Sequence, residues 1–225
     1  NGTDGIGPCG CTGEAATLSH DEQIECIKFA IERVAGKVPV IAGTGSNSTR
    51  EALSLTRKAK ELGADGALLI TPYYNKPTPA GQMAHYTSIA KQVDIPIVLY
   101  NVPGRTGTKM LPATIADMFS AQENIVAVKE ACGSVDQVSE VRSLSEITVL
   151  SGDDSLTLPM MSVGATGVIS VAANVMPSKV AAMCAAFDKG DLAEAQKLHY
   201  DLLPLFKGLF LETNPMPAKA ALHRM

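Results

Sequence analysis

At 225 residues, with 46% hydrophobic residues and a formal charge of −4, the chain is long enough to bury a full core. Its 19 Lys+Arg and 23 Asp+Glu residues are interspersed rather than blocked, which excludes a basic nucleic-acid face and a polybasic membrane anchor. No apolar stretch approaches the ~20 residues of a membrane span, and the polar start Asn1-Gly2-Thr3-Asp4-Gly5 is not a signal peptide, so a soluble cytoplasmic protein is expected.

In chain order, apolar runs of strand length alternate with amphipathic helices. A first strand is expected at Gly5-Ile6-Gly7-Pro8-Cys9. Ser19-His20-Asp21-Glu22 has the form of a capping box, with Ile24, Ile27, Ile31 and Val34 on one helical face and Gly36 as the stop. Val38-Pro39-Val40-Ile41-Ala42 reads as a strand, and Ser48-Thr49-Arg50-Glu51 as a second capping box before a helix burying Ala52, Leu55, Ala59 and Leu62. The strand Gly66-Ala67-Leu68-Leu69-Ile70 leads through a Pro/Gly-punctuated loop to a helix around 83–93. Pro96-Ile97-Val98-Leu99-Tyr100 is the next strand, followed by the loop Asn101-Val102-Pro103-Gly104-Arg105-Thr106-Gly107 and a helix opened by Pro112. Asn124-Ile125-Val126-Ala127-Val128-Lys129 is an apolar run ending in a lysine, with a helix carrying Val135, Val138, Val141 and Leu144 after it. Ile147-Thr148-Val149-Leu150 and Gly167-Val168-Ile169-Ser170-Val171 close the strand series. From Pro177 onward the pattern is helical, broken at Gly190 and at Asn214-Pro215-Met216-Pro217.

Strands without alternation, separated by helices, are the mark of a parallel sheet covered on both faces. A doubly wound dinucleotide fold is disfavoured because Gly43-Thr44-Gly45 has no third glycine in place. Seven strands are counted, so a (β/α)8 TIM barrel is expected to lack its first βα unit in this sequence, which is read as an incomplete one. Residues 1–175 are then strands two to eight, and residues 176–225 a helical segment packed on the barrel.

Lys129 by itself reads as a lysine that snorkels or pairs with a carboxylate. In a barrel, however, the chemistry sits at the carboxyl ends of the strands, and there Lys129 would meet Cys11, Thr12, Thr44, Asn47, Tyr73, Tyr74, Tyr100 and Arg105. Desolvation lowers the pKa of a lysine, and a neutral amine attacks carbonyls. Gly10-Cys11-Thr12-Gly13 is suited to present backbone N–H groups and a hydroxyl to a carboxylate, and Tyr100 to pass protons at an imine. The five cysteines are odd in number and irregularly spaced, which argues against a disulfide framework, and the four histidines share no ligand spacing with Cys9 and Cys11. Asp153-Asp154 reads as an N-cap rather than a metal pair, and Met160-Met161 as core.

Taken together, Gly10-Cys11-Thr12-Gly13-Glu14, Pro72-Tyr73-Tyr74-Asn75, the stretch from Tyr100 to Gly107, Val128-Lys129-Glu130 and Ser151-Gly152-Asp153-Asp154 resemble the dihydrodipicolinate synthase branch of the N-acetylneuraminate lyase superfamily. The resemblance extends to Asn214-Pro215-Met216-Pro217-Ala218-Lys219. It implies a homotetrameric barrel lyase that condenses pyruvate with L-aspartate-4-semialdehyde, with no cofactor or metal beyond a covalent imine on Lys129. It implies Tyr100 as proton donor and acceptor, Cys11 and Tyr74 in a proton relay with Tyr74 lent by a neighbouring subunit, Thr12 and the Ile169 backbone on the pyruvate carboxylate, Gly152 at the substrate site, and Arg105 on the carboxylate of the semialdehyde. The family pattern has threonine where Cys11 stands, and a thiol is a weaker donor and acceptor than a hydroxyl. His20, Asn47, Glu51 and Tyr73 match positions that bind lysine as a feedback inhibitor, while Ala15 and Gln23 replace a serine and a histidine of that pattern. Alternatives are another pyruvate-dependent aldolase of the superfamily, such as N-acetylneuraminate lyase or a 2-keto-3-deoxy-sugar-acid aldolase, and a non-catalytic barrel.

Overall fold

The structure is a computed structural model that describes residues 2–225. Five parallel strands in sequential order form one sheet: β1 (Ile41–Gly43), β2 (Gly66–Ile70), β3 (Ile97–Asn101), β4 (Ile125–Glu130) and β5 (Thr148–Ser151). Single parallel bridges extend it at both ends, Ile6 beside Val40 and Val168 beside Ser151. Among the described residues no bridge joins the Ile6 segment to the Val168 segment. The seven segments therefore run in the order of a barrel wall, each linked to the next by a helical crossover.

The outer helices are α1 (His20–Val34), α2 (Thr49–Leu62), α3 (Pro79–Gln92), the single turn α4 (Pro103–Thr106), α5 (Pro112–Ala121), α6 (Val135–Leu144) and α7 (Thr157–Ser162), followed by α8 (Pro177–Asp188), α9 (Leu192–Gly208) and α10 (Met216–Arg224). Helices cover the sheet, so β3 is buried along its whole length and the main core joins Leu69, Ile97, Leu99, Ile115, Ile125 and Met160. Each such side chain contributes roughly 1.5–3 kcal/mol by leaving water. A separate cluster of Val180, Met183, Leu202, Phe206 and Ala218 packs α8–α10 on the Val171–Ala172 turn.

Several expected boundaries move, each for a local reason. The strand expected from Val38 starts at Ile41, because Pro39 has no N–H and the Val40 N–H is taken by the Asp65 carboxylate at 2.8 Å. The segments expected at Gly5 and Gly167 make one bridge each and no ladder. Beyond Val168, the Val171 and Ala172 N–H groups turn to the Asp154 carboxylate at 3.0 and 2.9 Å. The Ser19–Glu22 capping box is complete in both directions, but α1 ends on Ala35, left-handed at φ 51°, one residue before Gly36. At α2 only half of the box forms. The Glu51 carboxylate accepts from Ser46 Oγ at 2.8 Å instead of returning to the Ser48 N–H. Thr78 caps α3, which therefore starts at Pro79, and Leu144, expected on the buried face of α6, is exposed.

Candidate functional site

The β3–β4 ladder pairs Tyr100 with Lys129 and, one step on, Asn101 with Glu130. Side chains alternate along a strand, so Tyr100 and Lys129 face one side of the sheet and Asn101 and Glu130 the other. Lys129 Nζ lies 4.2 Å from the centroid of the Tyr100 ring. Only 8% of Lys129 reaches solvent, and burial pushes its pKa down to about 8. The Arg105 guanidinium pushes the same way, and Cys11 and Asp154 oppose it. Burial also raises the Tyr100 hydroxyl well above the usual phenol range, helped by the nearby Cys11 thiol and opposed by Arg105. The outcome is an amine roughly one-tenth neutral at pH 7, far more than an ordinary lysine, beside a phenol that stays protonated and can donate.

Behind this pair, Glu130 is fully buried and accepts from Asn101 Nδ2 at 3.0 and 2.9 Å, Gln137 Nε2 at 3.1 Å and the Cys132 N–H at 2.9 Å. Every partner is a donor, so the four bonds suit a carboxylate, although burial raises its pKa.

The loop carrying Cys11 and Thr12 presses against β1. A Cβ on Gly43 would lie 1.9 Å from the Cys9 carbonyl oxygen, so only glycine admits this approach. Among the described residues the backbone N–H groups of Cys11, Thr12 and Gly13 make no hydrogen bond to another backbone group. Thr12 Oγ1 accepts from Asn214 Nδ2 at 2.9 Å, and Arg105 Nη2 donates to the Asn214 carbonyl at 2.8 Å. Asn214 is 4% exposed, and its Oδ1 has no partner among the described residues. It was given no role from the sequence. The signals at this position are its place in the family-like segment Asn214-Pro215-Met216-Pro217-Ala218-Lys219 and a polar residue before two prolines in an otherwise helical stretch.

Cys11, Tyr100, Arg105 and Asn214 line a cavity of about 530 Å³, and Lys129, packed on Tyr100, is not itself part of the wall. The same cavity reaches His20, Glu51 and Tyr73, with Ala15 and Gln23 also on its lining. His20 Nε2 and Glu51 Oε2 are 4.0 Å apart, and Asn47 Nδ2 donates to the Tyr73 carbonyl at 3.2 Å. The Nε2 of Gln23 is not free for a ligand, because it donates to the Gly43 carbonyl at 2.8 Å.

Other expected groups lie elsewhere. Thr44 is fully buried with its hydroxyl 2.8 Å from that of Thr56, so it does not reach the mouth. Tyr74 is 89% exposed at φ 70° and does not line the cavity of its own chain. The Ile169 N–H donates to the Ser151 carbonyl at 2.9 Å, so the Ile169 backbone, expected to hold a carboxylate, has no free donor to offer one. Gly152 sits against the stem of Lys129. Asp153 caps the turn after β5 through the Ser155 N–H, while Asp154 is buried and accepts from Ser170 Oγ as well as the Val171 and Ala172 N–H groups. Among the described residues no group of three or more His, Cys, Asp or Glu is arranged to hold a metal ion, and no helix is long and apolar enough to cross a membrane.

The dihydrodipicolinate synthetase family model matches residues 1–225. The chain belongs to that family. Among its relatives, the 4-hydroxy-tetrahydrodipicolinate synthase of Pelobacter propionicus is 58% identical over 223 residues, which is 98% of this chain and 77% of that one. The crystal structure of dihydrodipicolinate synthase from Aquifex aeolicus superimposes with a TM-score of 0.97 at 53% identity, covering 99% of this chain and 77% of that one. A family structure from Cyanidioschyzon merolae, described with lysine bound, gives a TM-score of 0.97 at 45% identity over 100% of this chain and 77% of its own. The fold of this family member is accordingly α/β and TIM-barrel-like.

Proposed function

We propose that the protein is a Schiff-base lyase that condenses pyruvate with L-aspartate-4-semialdehyde to 4-hydroxy-tetrahydrodipicolinate, a step toward diaminopimelate and lysine. The observation that carries this reading is the buried Lys129 amine, its pKa brought down to about 8, held against the Tyr100 ring. The shared name of relatives such as the one from Pelobacter propionicus supports it.

The neutral Lys129 amine attacks the keto carbon of pyruvate, and loss of water leaves a protonated imine. The imine withdraws electrons, so the methyl carbon gives up a proton and becomes the enamine nucleophile. Tyr100 donates and accepts the protons of these steps. The enamine carbon bonds to the aldehyde carbon of the semialdehyde, and the amine of that substrate then adds to the imine carbon, closing the ring and expelling Lys129 as the free amine. No cofactor is needed beyond the imine. Thr12 and the N–H groups of the Cys11–Gly13 turn hold the pyruvate carboxylate, with Gly152 at the substrate site. Arg105, steadied by Asn214, takes the carboxylate of the aldehyde, which favours the semialdehyde over a polyhydroxylated sugar aldehyde.

Cys11 relays protons between Tyr100 and Tyr74, the latter supplied by a second copy in a homotetramer, which the exposure of Tyr74 on its own chain supports. The seven parallel segments take positions two to eight of the barrel wall, the first βα unit belonging between Val168 and Ile6. His20, Asn47, Glu51 and Tyr73 take lysine as an inhibitor, weakly, since Ala15 lacks a polar group and Gln23 is already engaged. Five free cysteines fit a reducing cytoplasm.

Borohydride reduction in the presence of pyruvate tests the reading. A pyruvate-derived mass adduct on Lys129 is expected, and its absence would leave a non-catalytic barrel. Product formation with the semialdehyde, and none with sugar-acid aldehydes, separates this lyase from the other aldolases. Inhibition by lysine is read by titration, and none at millimolar lysine removes that part of the proposal.

A further inference from the structure

We infer that Gly152 is a positioning residue for Lys129, leaving open the space that the four-carbon stem of the lysine occupies. Gly152 follows β5 directly, and its N–H donates to the Glu130 carbonyl at 2.7 Å, so it sits beside the end of β4. Its φ lies outside the left-handed region, unlike eight other glycines of the chain, so the backbone at this point can accept any residue. The reason for glycine here is space. A Cβ on Gly152 would stand 2.7 Å from Ala131 Cβ, 3.0 Å from Lys129 Cε and 3.1 Å from Lys129 Cγ.

The backbone cannot retreat to relieve these contacts. Ser151 before it donates its N–H to the Gly167 carbonyl at 2.8 Å and its hydroxyl to the Asp153 carbonyl at 2.8 Å, and the Asp153 N–H returns to that hydroxyl at 3.1 Å. A methyl group would therefore press on Ala131, which must shift, and on the lysine stem, whose Cγ and Cε must give by a few tenths of an ångström. Moving the stem moves Nζ off the Tyr100 ring, and a misplacement of about 1 Å at a reacting atom costs on the order of 100-fold in rate.

The inference rests on Lys129 being the imine-forming amine, and the test keeps the two claims apart. In the parent, Gly152→Ala and the control Gly208→Ala, whose Cβ would meet nothing within 4 Å, the rate of borohydride trapping with pyruvate is followed across pH alongside the thermal midpoint. The expected result is a fall of roughly 10- to 100-fold in trapping for Gly152→Ala with a changed pH profile, and parent behaviour for Gly208→Ala. Equal trapping in Gly152→Ala and parent overturns the inference alone. Recovery of the rate in Gly152→Ala/Ala131→Gly also overturns it, since that pair relieves only the Cβ contact and leaves the lysine contacts in place. If the parent does not trap pyruvate at all, the proposed reaction fails instead. The positioning claim then stands or falls on whether acetic anhydride labels Lys129 with a different pH dependence in the two chains.

Discussion

In the proposed reaction, burial is what makes the ordinary side chain of Lys129 a reagent. Its folded pKa of about 8 lies below the ordinary 10.5, so between those values the unfolded chain binds more protons and stability rises with pH; below about 8 the penalty is present in full. Two outcomes follow at this scale. Trapping with pyruvate should be half-maximal near pH 8 and drop about tenfold per pH unit below it, as the neutral fraction does. Lys129→Met should abolish trapping yet raise the unfolding free energy at pH 7 by about 1–3 kcal/mol in urea titrations, because it removes an amine that the interior disfavours. Cys11→Thr should raise turnover or leave it unchanged, since a hydroxyl is the better proton relay. A large loss would mean that the thiol has a further role.

Among the elements, the β3–β4 pair owes its register to groups on the side away from the chemistry. Glu130 and Asn101 bond across the two strands one residue beyond Lys129 and Tyr100, so a carboxylate on the opposite side of the sheet holds those two side chains level. Glu130→Gln would turn an amide NH2 toward donors and should cost about 2–4 kcal/mol in chemical denaturation. A cost below ~0.5 kcal/mol would show that the ladder holds its register without it. The same elements show what a sequence discloses. The helices were legible because caps and apolar faces are local: Ser19 and Glu22 lie three residues apart, and the box forms as written. Strand ends were not, because they were decided by side chains far along the chain, Asp65 for β1 and Asp154 for the segment after Gly167. The α2 box failed through Ser46, a hydroxyl placed where it intercepts Glu51. At the site, Lys129, Tyr100, Cys11 and Arg105 were legible as strand-end residues of a recognisable pattern. The contribution of Asn214 was hidden because nothing local says where a chain segment returns.

For the whole molecule, Asp154 is the joint between the barrel and the helices after it. It sits in the turn after β5 and binds the Val171–Ala172 backbone from which α8 continues. Asp154→Asn replaces one acceptor oxygen by a donor and should loosen that attachment, so limited proteolysis is expected to cut within residues 172–225 before the barrel itself unfolds; cleavage spread evenly along the chain would count against the joint. The bond from Asn214 to Thr12 spans 202 residues and that to Arg105 spans 109. During synthesis, therefore, every strand segment and the reactive amine leave the ribosome before the residue that ties the rim together. Under the proposed reaction, the order of translation supplies the imine-forming amine first and the support of the carboxylate clamp last.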